Sequence, residues 1–424
     1  METALGIGDI AVHIPRPLIP LDTIMARYRR SDPQWARALE RSSERTGQVS
    51  LRFPQPWEDA ATMAAQAALQ IVARLSPSAI ASLRYLVVGT ETGVDQAKPI
   101  AAYVQGMLQR AGYAIPQTVS TFDIQHACAG GAIGLVSVGA MLGASRGGAE
   151  RGLIICTDEA RYPPGSSAEI TQGAAAVALL VERAPRLLEL DLGAPGHSSH
   201  DVDDFFRPLG SLTARVKGRY SIDCYRSTVE EALLDLCARR GCTMAALLEE
   251  TELFALHVPF RSLPEQTLAG LVRRYLGSDA AAAGAFLARR RFSAGTAPAA
   301  VVGNVYSGSM FLSLAALLAA RHEELQSALA GKQAVLVAYG SGNTALALVG
   351  RVSAQAPAVI GGWCLQRAIA HGEEASLEDY DAWIDERHRA GCGTESADSR
   401  IPEHSFYLRS IRADGYRIYG LRGA

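Results

Sequence analysis

The feature of this sequence that most constrains its fold is a repeated order of segments in its two halves. In the first half an apolar run ends near Glu91, a segment rich in small residues starts at Cys128, and two more apolar runs follow. In the second half an apolar run ends near His257, a small-residue segment starts near Tyr306, and two apolar runs follow again. Short β-branched runs alternating with Ala/Gly/Leu-rich stretches are typical of layered α/β proteins. The repeat is far too long for a solenoid, so it predicts one duplicated architecture.

The two small-residue segments, at 127–142 and 303–320, predict where the helices of this architecture lie. They contain almost no charged side chains. A helix that is apolar all round is a buried one, and small side chains let it pack closely against a sheet. The sequence therefore predicts an α/β fold of αβαβα layers with two central helices. Its two pseudo-symmetric halves are expected at residues 1–190 and 191–424.

Segments outside the repeat also carry local signals. Residues 21–48 and 224–250 are expected to form amphipathic helical insertions. Ser376 followed by Asp379 predicts the start of a helix, and Asp414-Gly415 predicts the turn of a terminal hairpin.

Composition excludes several classes of function. The chain has 424 residues and a net charge of −2, which argues against general nucleic-acid binding. Apolar stretches such as 310–320 are too short to span a membrane, and the first residues lack the pattern of a secretory signal. Seven cysteines without a C-x-x-C pair predict reduced thiols rather than a disulfide framework or a zinc site. We expect a cytoplasmic protein that binds neither nucleic acid nor membrane.

Three residues are candidates for catalysis. Cys128 lies where a glycine-rich buried helix begins, and the positive end of a helix dipole favours a thiolate. Glu91 follows a buried strand, where partial desolvation would raise its pKa and suit it to general acid/base catalysis. His257 follows the equivalent strand of the second half. Taken singly, each has a structural alternative: a buried cysteine, a helix-capping acid and a core histidine.

The internal symmetry brings these candidates together. Glu91 and His257 come from equivalent strands, so they are expected to converge with Cys128 around one pocket. Asn304 and the Gly340-Ser341-Gly342 turn lie at comparable positions. They could offer a side-chain amide and backbone N–H donors to a carbonyl oxygen.

Five segments, in order, resemble the signature blocks of hydroxymethylglutaryl-CoA synthases, a family of the thiolase superfamily. They are GTETGVD at 89–95, ACA at 127–129, HVPF at 257–260, GNVYSGS at 303–309 and YGSG at 339–342. Segments 171–174 and 206–208 are also similar to family segments, so the resemblance covers nearly the whole chain. It implies a thiolase-like fold and a homodimer.

The resemblance also implies the chemistry. Cys128 would accept an acetyl group from acetyl-CoA, Glu91 would act as general acid/base, and His257 would orient an acetoacetyl thioester. The carbanion of the acetyl group would add to the 3-keto group, and water would release a 3-hydroxy-3-methylglutaryl thioester. No metal and no redox cofactor would be needed. The residues expected to bind substrate are Asn304, Tyr306, Ser307, Gly340, Ser341 and Arg261.

Two departures from the family pattern concern the carrier of the acyl groups. Many members have an aromatic residue after the cysteine, where this chain has Ala129. The block at His257 lacks its usual lysine, which contacts coenzyme A, and Arg261 could replace it. If 261 continued the strand, however, it would point to the opposite face. Acyl carrier proteins could therefore supply the acyl groups instead of coenzyme A, as in relatives that install β-branches on polyketides.

Two other functions remain as alternatives. A ketoacyl synthase III-like decarboxylative condensation would fit the motif around Asn304, but it needs no acid like Glu91. A non-catalytic scaffold is disfavoured because Cys128, Glu91 and His257 occur together.

Overall fold

The computed structural model describes residues 4–387 and 400–423. The helices are α1 (Leu21–Ser31), α2 (Pro33–Thr46), α3 (Ala60–Val72), α4 (Pro77–Ala81), α5 (Ile100–Arg110), α6 (Gly130–Ala144), α7 (Gly218–Arg240), α8 (Met244–Glu250), α9 (Ser262–Tyr275), α10 (Ala280–Arg289), α11 (Phe292–Val302), α12 (Ser309–Leu325), α13 (Ala356–Gly361), α14 (Leu365–Ala370) and α15 (Leu377–Ile384). Short 3₁₀ turns are formed by Glu169–Thr171, Tyr306–Gly308 and Gln326–Leu329.

The strands are β1 (Leu5–His13), β2 (Pro17–Pro20), β3 (Ser50–Arg52), β4 (Leu83–Gly89), β5 (Ser120–Ile124), β6 (Arg151–Ala160), β7 (Gly173–Arg183), β8 (Leu188–Leu190), β9 (Gly196–Ser199), β10 (Phe205–Phe206), β11 (Arg215–Val216), β12 (Thr251–Leu256), β13 (Gln333–Gly340), β14 (Thr344–Val352), β15 (Glu373–Glu374), β16 (Phe406–Ile411) and β17 (Arg417–Leu421).

The duplication predicted from the sequence is visible in the strand pairing. In the first half β4 runs parallel to β6, and β6 runs antiparallel to β7. In the second half β12 runs parallel to β13, and β13 runs antiparallel to β14. The short strand β8 pairs with both β1 and β14, so the two halves join in one hydrogen-bonded sheet of ten strands. The expected boundary at residue 190 falls at the end of β8, and this division stays a prediction.

Three apolar clusters establish the layering. The central one combines α6 and α12 with strands of both halves. A second lies between the first half of the sheet and α3 and α5, and a third lies between the second half and α7 and α9. Successive strand residues face opposite clusters, as the pleat requires: Ile154 of β6 belongs to the central cluster and Ile155 to the second. The αβαβα layering with two central helices is confirmed.

The local signals outside the repeat are largely confirmed. Residues 21–48 contain α1 and α2, while the second insertion begins at Gly218, six residues before the predicted 224. Ser376 and Asp379 form a reciprocal capping box at the start of α15. Strands β16 and β17 form the terminal hairpin, and Gly415 takes a positive φ of 87° in its turn.

One helical stretch among the described residues, Ala127–Ala144, is long and apolar enough to cross a membrane by length and composition, with a mean hydropathy of 1.7 over 18 residues. It is longer than the apolar run at 310–320, which was judged from the sequence to be too short to span a membrane. However, this stretch is α6 with its preceding turn. It packs against β4 and β6 and belongs to the central apolar cluster that also contains α12. Core helices meet the same criteria, so we assign it to the protein core.

Candidate active site

A cavity of about 660 Å³ lies where the two central helices begin, and its lining includes Cys128, His257, Asn304, Tyr306 and Ser341. Cys128 precedes α6, and His257 directly follows β12. Asn304 and Tyr306 precede α12, while Ser341 follows β13. The structure therefore brings together residues that are more than 200 positions apart in the sequence.

Cys128 is buried, with 8% of its surface exposed. Burial raises the pKa of its thiol well above the usual range, and the charges of Glu91, Asp158 and Asp204 raise it further. From the sequence, we expected the helix N-terminus to favour a thiolate. Desolvation and three nearby carboxylates outweigh that effect here, so the resting group is a thiol.

Glu91 lies two residues beyond β4, is 7% exposed and is not part of the cavity lining. Within the part of the chain that the structure describes, neither of its carboxyl oxygens has a hydrogen-bond partner. Burial raises its pKa to about 8, the charge of Asp158 raises it as well, and Arg207 lowers it. A carboxyl group with such a pKa can take and return a proton near neutral pH.

Asp158, at the end of β6, holds the loop that carries Glu91. Its Oδ1 accepts hydrogen bonds from the backbone N–H of Glu91 (2.9 Å) and from the hydroxyls of Thr92 (2.8 Å) and Thr90 (3.0 Å). Its Oδ2 accepts from the N–H (3.1 Å) and hydroxyl (2.5 Å) of Ser307. Ser307 was predicted to bind substrate. In the structure it is buried outside the cavity lining, where it connects the Asn304 segment to Asp158.

Replacing Asp158 with asparagine is expected to lower the pKa of Glu91, because the substitution removes a negative charge that raises it. The protein should also lose about 1–3 kcal/mol of stability, since the new amide faces backbone N–H donors. NMR titration of the Glu91 carboxyl carbon and denaturant unfolding measure the two effects. Asp9→Asn, which removes a buried carboxylate in β1, is the control and should leave the pKa of Glu91 unchanged. A raised pKa in Asp158→Asn would contradict the assignment.

His257 is 3% exposed, and both its backbone and its ring are held. Its N–H donates to the Val337 carbonyl (2.8 Å) and its carbonyl accepts from the Tyr225 hydroxyl (2.7 Å). The ring Nδ1 lies 2.5 Å from the Ser309 hydroxyl. Burial lowers the pKa of the imidazole to about 3, so the ring is neutral at physiological pH.

Asn304 and Tyr306 form one wall of the cavity. The Asn304 side-chain oxygen accepts a hydrogen bond from the Tyr306 N–H (2.9 Å), which leaves the amide nitrogen as the group that can donate. Tyr306 adopts a positive φ of 41°, uncommon for a residue with a side chain. Its ring packs edge-on against Tyr162 and Phe205, with centroids 6.5 and 5.8 Å away.

The turn after β13 approaches the cysteine from the other half. A Cβ built on Gly340 would lie 2.7 Å from the His126 carbonyl oxygen and 2.8 Å from the Ala129 Cβ, so only glycine permits this approach. Gly340 therefore positions the turn, while Ser341 lines the cavity. Asp204 holds the turn by accepting from the Gly342 N–H (2.8 Å) and the Tyr339 hydroxyl (2.7 Å).

Arg261 is not brought to the cavity lining. Strand β12 ends at Leu256, so position 261 lies in the turn before α9 and the strand-face argument does not apply to it. Its side chain packs on Gly47, and its Nε lies 3.8 Å from Glu265. The cationic side chains that line the cavity are instead Arg45 and Arg219.

Several residues of the site were missed by the sequence argument. Asp158 follows the apolar run of β6 as Glu91 follows that of β4, and this parallel could have identified it. Asp204 lies among other acids at 201–204, and no local signal distinguishes it. The aromatic residues of the lining, which carry no such signal either, are Tyr162, Phe205, Tyr225 and Tyr339.

Comparison with known proteins identifies the family. Residues 41–185 match the family described as Hydroxymethylglutaryl-coenzyme A synthase N terminal, and residues 273–422 match its C-terminal counterpart. The Haloferax volcanii hydroxymethylglutaryl-CoA synthase is 30% identical over 260 residues, which is 61% of this chain but only 55% of that protein. The polyketide biosynthesis 3-hydroxy-3-methylglutaryl-ACP synthase PksG of Bacillus subtilis is 26% identical over 276 residues, 62% of this chain and 63% of that protein.

Among solved structures, MvaS in complex with 3-hydroxy-3-methylglutaryl coenzyme A is similar over its full length. It is 32% identical, covers 100% of both chains and has a TM-score of 0.82. The thiolase-like fold expected from the resemblance is confirmed by this match. The two matched family segments and the full-length structural similarity together show that the chain belongs to the hydroxymethylglutaryl-CoA synthase family of acyl-transferring synthases.

Proposed function

We propose that this enzyme condenses an acetyl group held on Cys128 with the 3-keto group of an acetoacetyl thioester to give a 3-hydroxy-3-methylglutaryl thioester. The observation that carries the proposal is the convergence of Cys128, His257 and Asn304 on one cavity, with Glu91 near enough for its charge to raise the pKa of the Cys128 thiol. A nucleophilic sulfur, a proton-transfer group and two side-chain donors are the groups that this reaction requires.

The steps follow from the positions of these groups. The Cys128 sulfur attacks the donor thioester, and its proton passes to the departing carrier sulfur. The Glu91 carboxylate then removes a proton from the acetyl methyl, and the carbanion adds to the 3-keto carbon. The new alkoxide takes the proton back from Glu91. Water finally cleaves the bond between the product and Cys128. The chain performs these steps with its own side chains, so we propose that no metal or redox cofactor takes part.

The carrier of the acyl groups is proposed to be coenzyme A, with acyl carrier protein as the alternative. The charged side chains in the cavity lining are Arg45 and Arg219, both cationic. Either would suit the phosphate of coenzyme A or of a phosphopantetheine arm. The MvaS structure contains 3-hydroxy-3-methylglutaryl coenzyme A, and PksG is a 3-hydroxy-3-methylglutaryl-ACP synthase, so relatives of both kinds exist.

Exchange of the carriers tests the proposal. The enzyme is incubated with acetyl-CoA or an acetylated carrier protein, and acetyl transfer to protein is followed by mass spectrometry of the Cys128 peptide. Acetoacetyl-CoA and acetoacetyl-carrier protein are then compared as acceptors. We expect acetyl-Cys128 and a 3-hydroxy-3-methylglutaryl product, with CoA substrates favoured over carrier-protein substrates. A preference for carrier-protein substrates would instead support the polyketide-type alternative. A folded enzyme that is acetylated by neither donor would contradict the proposal.

We also propose a cytoplasmic homodimer. Strand β5 is one of the edge strands of the ten-stranded sheet, and its residues are half-exposed or exposed. An unpaired edge of this kind can pair with the same strand of a second copy. Partly exposed apolar residues of the neighbouring helix α6, Ile133 and Val136, would add buried area. Light scattering of the purified enzyme should give twice the mass of the chain; a monomer at micromolar concentration would exclude the dimer.

A further inference from the structure

The ring of His257 is held by a residue that the proposed mechanism does not use. Ser309 is the first residue of α12 and is 4% exposed. Its Oγ lies 2.5 Å from Nδ1 of His257 and accepts a hydrogen bond from the backbone N–H of Val258 at 3.1 Å. The hydroxyl therefore bridges the histidine and the residue that follows it.

This geometry decides which ring nitrogen carries the proton. A neutral imidazole has one N–H donor and one acceptor nitrogen, and a serine hydroxyl has a single hydrogen to donate. If Nδ1 carried the hydrogen, the Ser309 oxygen would accept from both Nδ1 and Val258, and its own buried hydrogen would lack an acceptor among its partners. An unsatisfied buried donor costs about 1–3 kcal/mol. The favoured arrangement has Ser309 donating to Nδ1 and the ring hydrogen on Nε2.

The consequence concerns the cavity that His257 lines. With Nδ1 occupied by Ser309, Nε2 is the ring nitrogen left for a substrate. An Nε2–H can donate to a carbonyl oxygen and stabilise the negative charge that develops there, whereas an unprotonated Nε2 would repel it.

We propose that Ser309 is a positioning residue that holds His257 in the Nε2–H tautomer, so that the ring donates a hydrogen bond to the 3-keto oxygen of the acceptor. This inference rests on the proposed function for the identity of the acceptor. The assignment of the tautomer does not depend on it. As the new carbon–carbon bond forms, the electron pair of the keto group moves to its oxygen, which Nε2–H stabilises until Glu91 supplies the proton. His257 stays neutral throughout.

The substitution Ser309→Ala tests this directly. We expect the His257 ring to lose its fixed tautomer, and kcat/KM for the acetoacetyl thioester to fall about 10²-fold, as when a preorganised donor is lost. Acetylation of Cys128 should change little, because that step does not use the acceptor site. The tautomer is read from ¹⁵N NMR of the full chain with labelled histidines, and the His257 signals are assigned by their loss in His257→Gln.

A matched control lies one turn further along the same helix. Ser313 is buried, and within the described chain its hydroxyl has no hydrogen-bond partner, so Ser313→Ala should change neither the NMR signals nor the kinetics. Ser309→Thr keeps the hydroxyl and should restore the tautomer at least in part.

Three results would overturn the inference. The first is an Nδ1–H signal for His257 in the wild type. The second is a Ser309→Ala enzyme whose tautomer and acceptor kcat/KM are unchanged. The third is an equal loss of Cys128 acetylation and condensation, which would indicate a purely structural role. Because the NMR measurement requires no turnover, failure of the proposed function, seen as absence of acetyl-Cys128 in the wild type, is distinguishable from failure of this inference.

Discussion

Glu91→Gln is expected to lower the rate of condensation by about 10³-fold or more, while Cys128 is still acetylated. Neither carboxyl oxygen of Glu91 is engaged by the described residues, so the group is available for proton transfer. In the proposed mechanism it acts twice, first as a base on the acetyl methyl and then as an acid toward the alkoxide. A glutamine side chain can do neither.

In Glu91→Gln, acetylation of Cys128 should be slowed much less than condensation, for an electrostatic reason. The charge of Glu91 is one of the causes that raise the pKa of the Cys128 thiol. Removing that charge makes the thiolate easier to form, and transfer of the acetyl group needs no proton from the methyl. The variant should therefore accumulate as the acetyl-enzyme, and the effect on acetylation should stay within about 10-fold.

Single-turnover experiments on pre-acetylated enzyme separate the two steps. For the wild type, the rate of condensation should rise with pH around the Glu91 pKa of about 8, because only the ionised carboxylate can act as the base. In Glu91→Gln this pH dependence should disappear together with the rate. Glu182→Gln, a buried carboxylate of β7 paired with Arg151, is the matched control and should keep both. Equal losses of acetylation and condensation in Glu91→Gln would refute the assigned role.

The order of the elements could be predicted from the sequence because burial controls it. Strand β6 spans Arg151–Ala160 and is one of the apolar runs that follow Cys128, because a strand buried on both faces appears in the sequence as a nearly continuous apolar run. The start of α6 was predicted two residues early. Ala127 takes a positive φ of 39°, and the turn it forms delays the helix to Gly130 while holding Cys128 at the cavity.

The electrostatics of the site could not be predicted in the same way. Asp158 accepts from Ser307, 149 positions away in the sequence, and no local pattern contains such a pair. The resting state of Cys128 depends on its burial and on three carboxylates brought near it by folding, whereas the sequence showed only the helix start. Arg261 was predicted to bind substrate but lies outside the cavity lining. The chain leaves β12 at Leu256, and the local sequence does not show where the following turn directs this side chain.

Cys128→Ala is expected to abolish both the acetyl-enzyme and product formation. The sulfur is the atom to which the growing acyl group stays bonded through the proposed condensation, and the alanine methyl cannot form a thioester. The hydroxyls of Tyr162 and Tyr306 are poor replacements for the sulfur, since burial raises their pKa values and they are weak nucleophiles. Radiolabelled acetyl donor followed by mass spectrometry of the protein measures the loss.

The control for this variant must distinguish loss of the nucleophile from loss of packing. Cys224 is suitable because it is 8% exposed, as Cys128 is, but it lies in α7 and outside the cavity lining. Cys224→Ala should keep labelling and turnover, and both variants should unfold at similar denaturant concentrations. If Cys128→Ala were still labelled, the acyl group would be carried by another residue. If it remained unlabelled but kept the wild-type function, covalent catalysis would be wrong and a non-catalytic scaffold would explain the protein better.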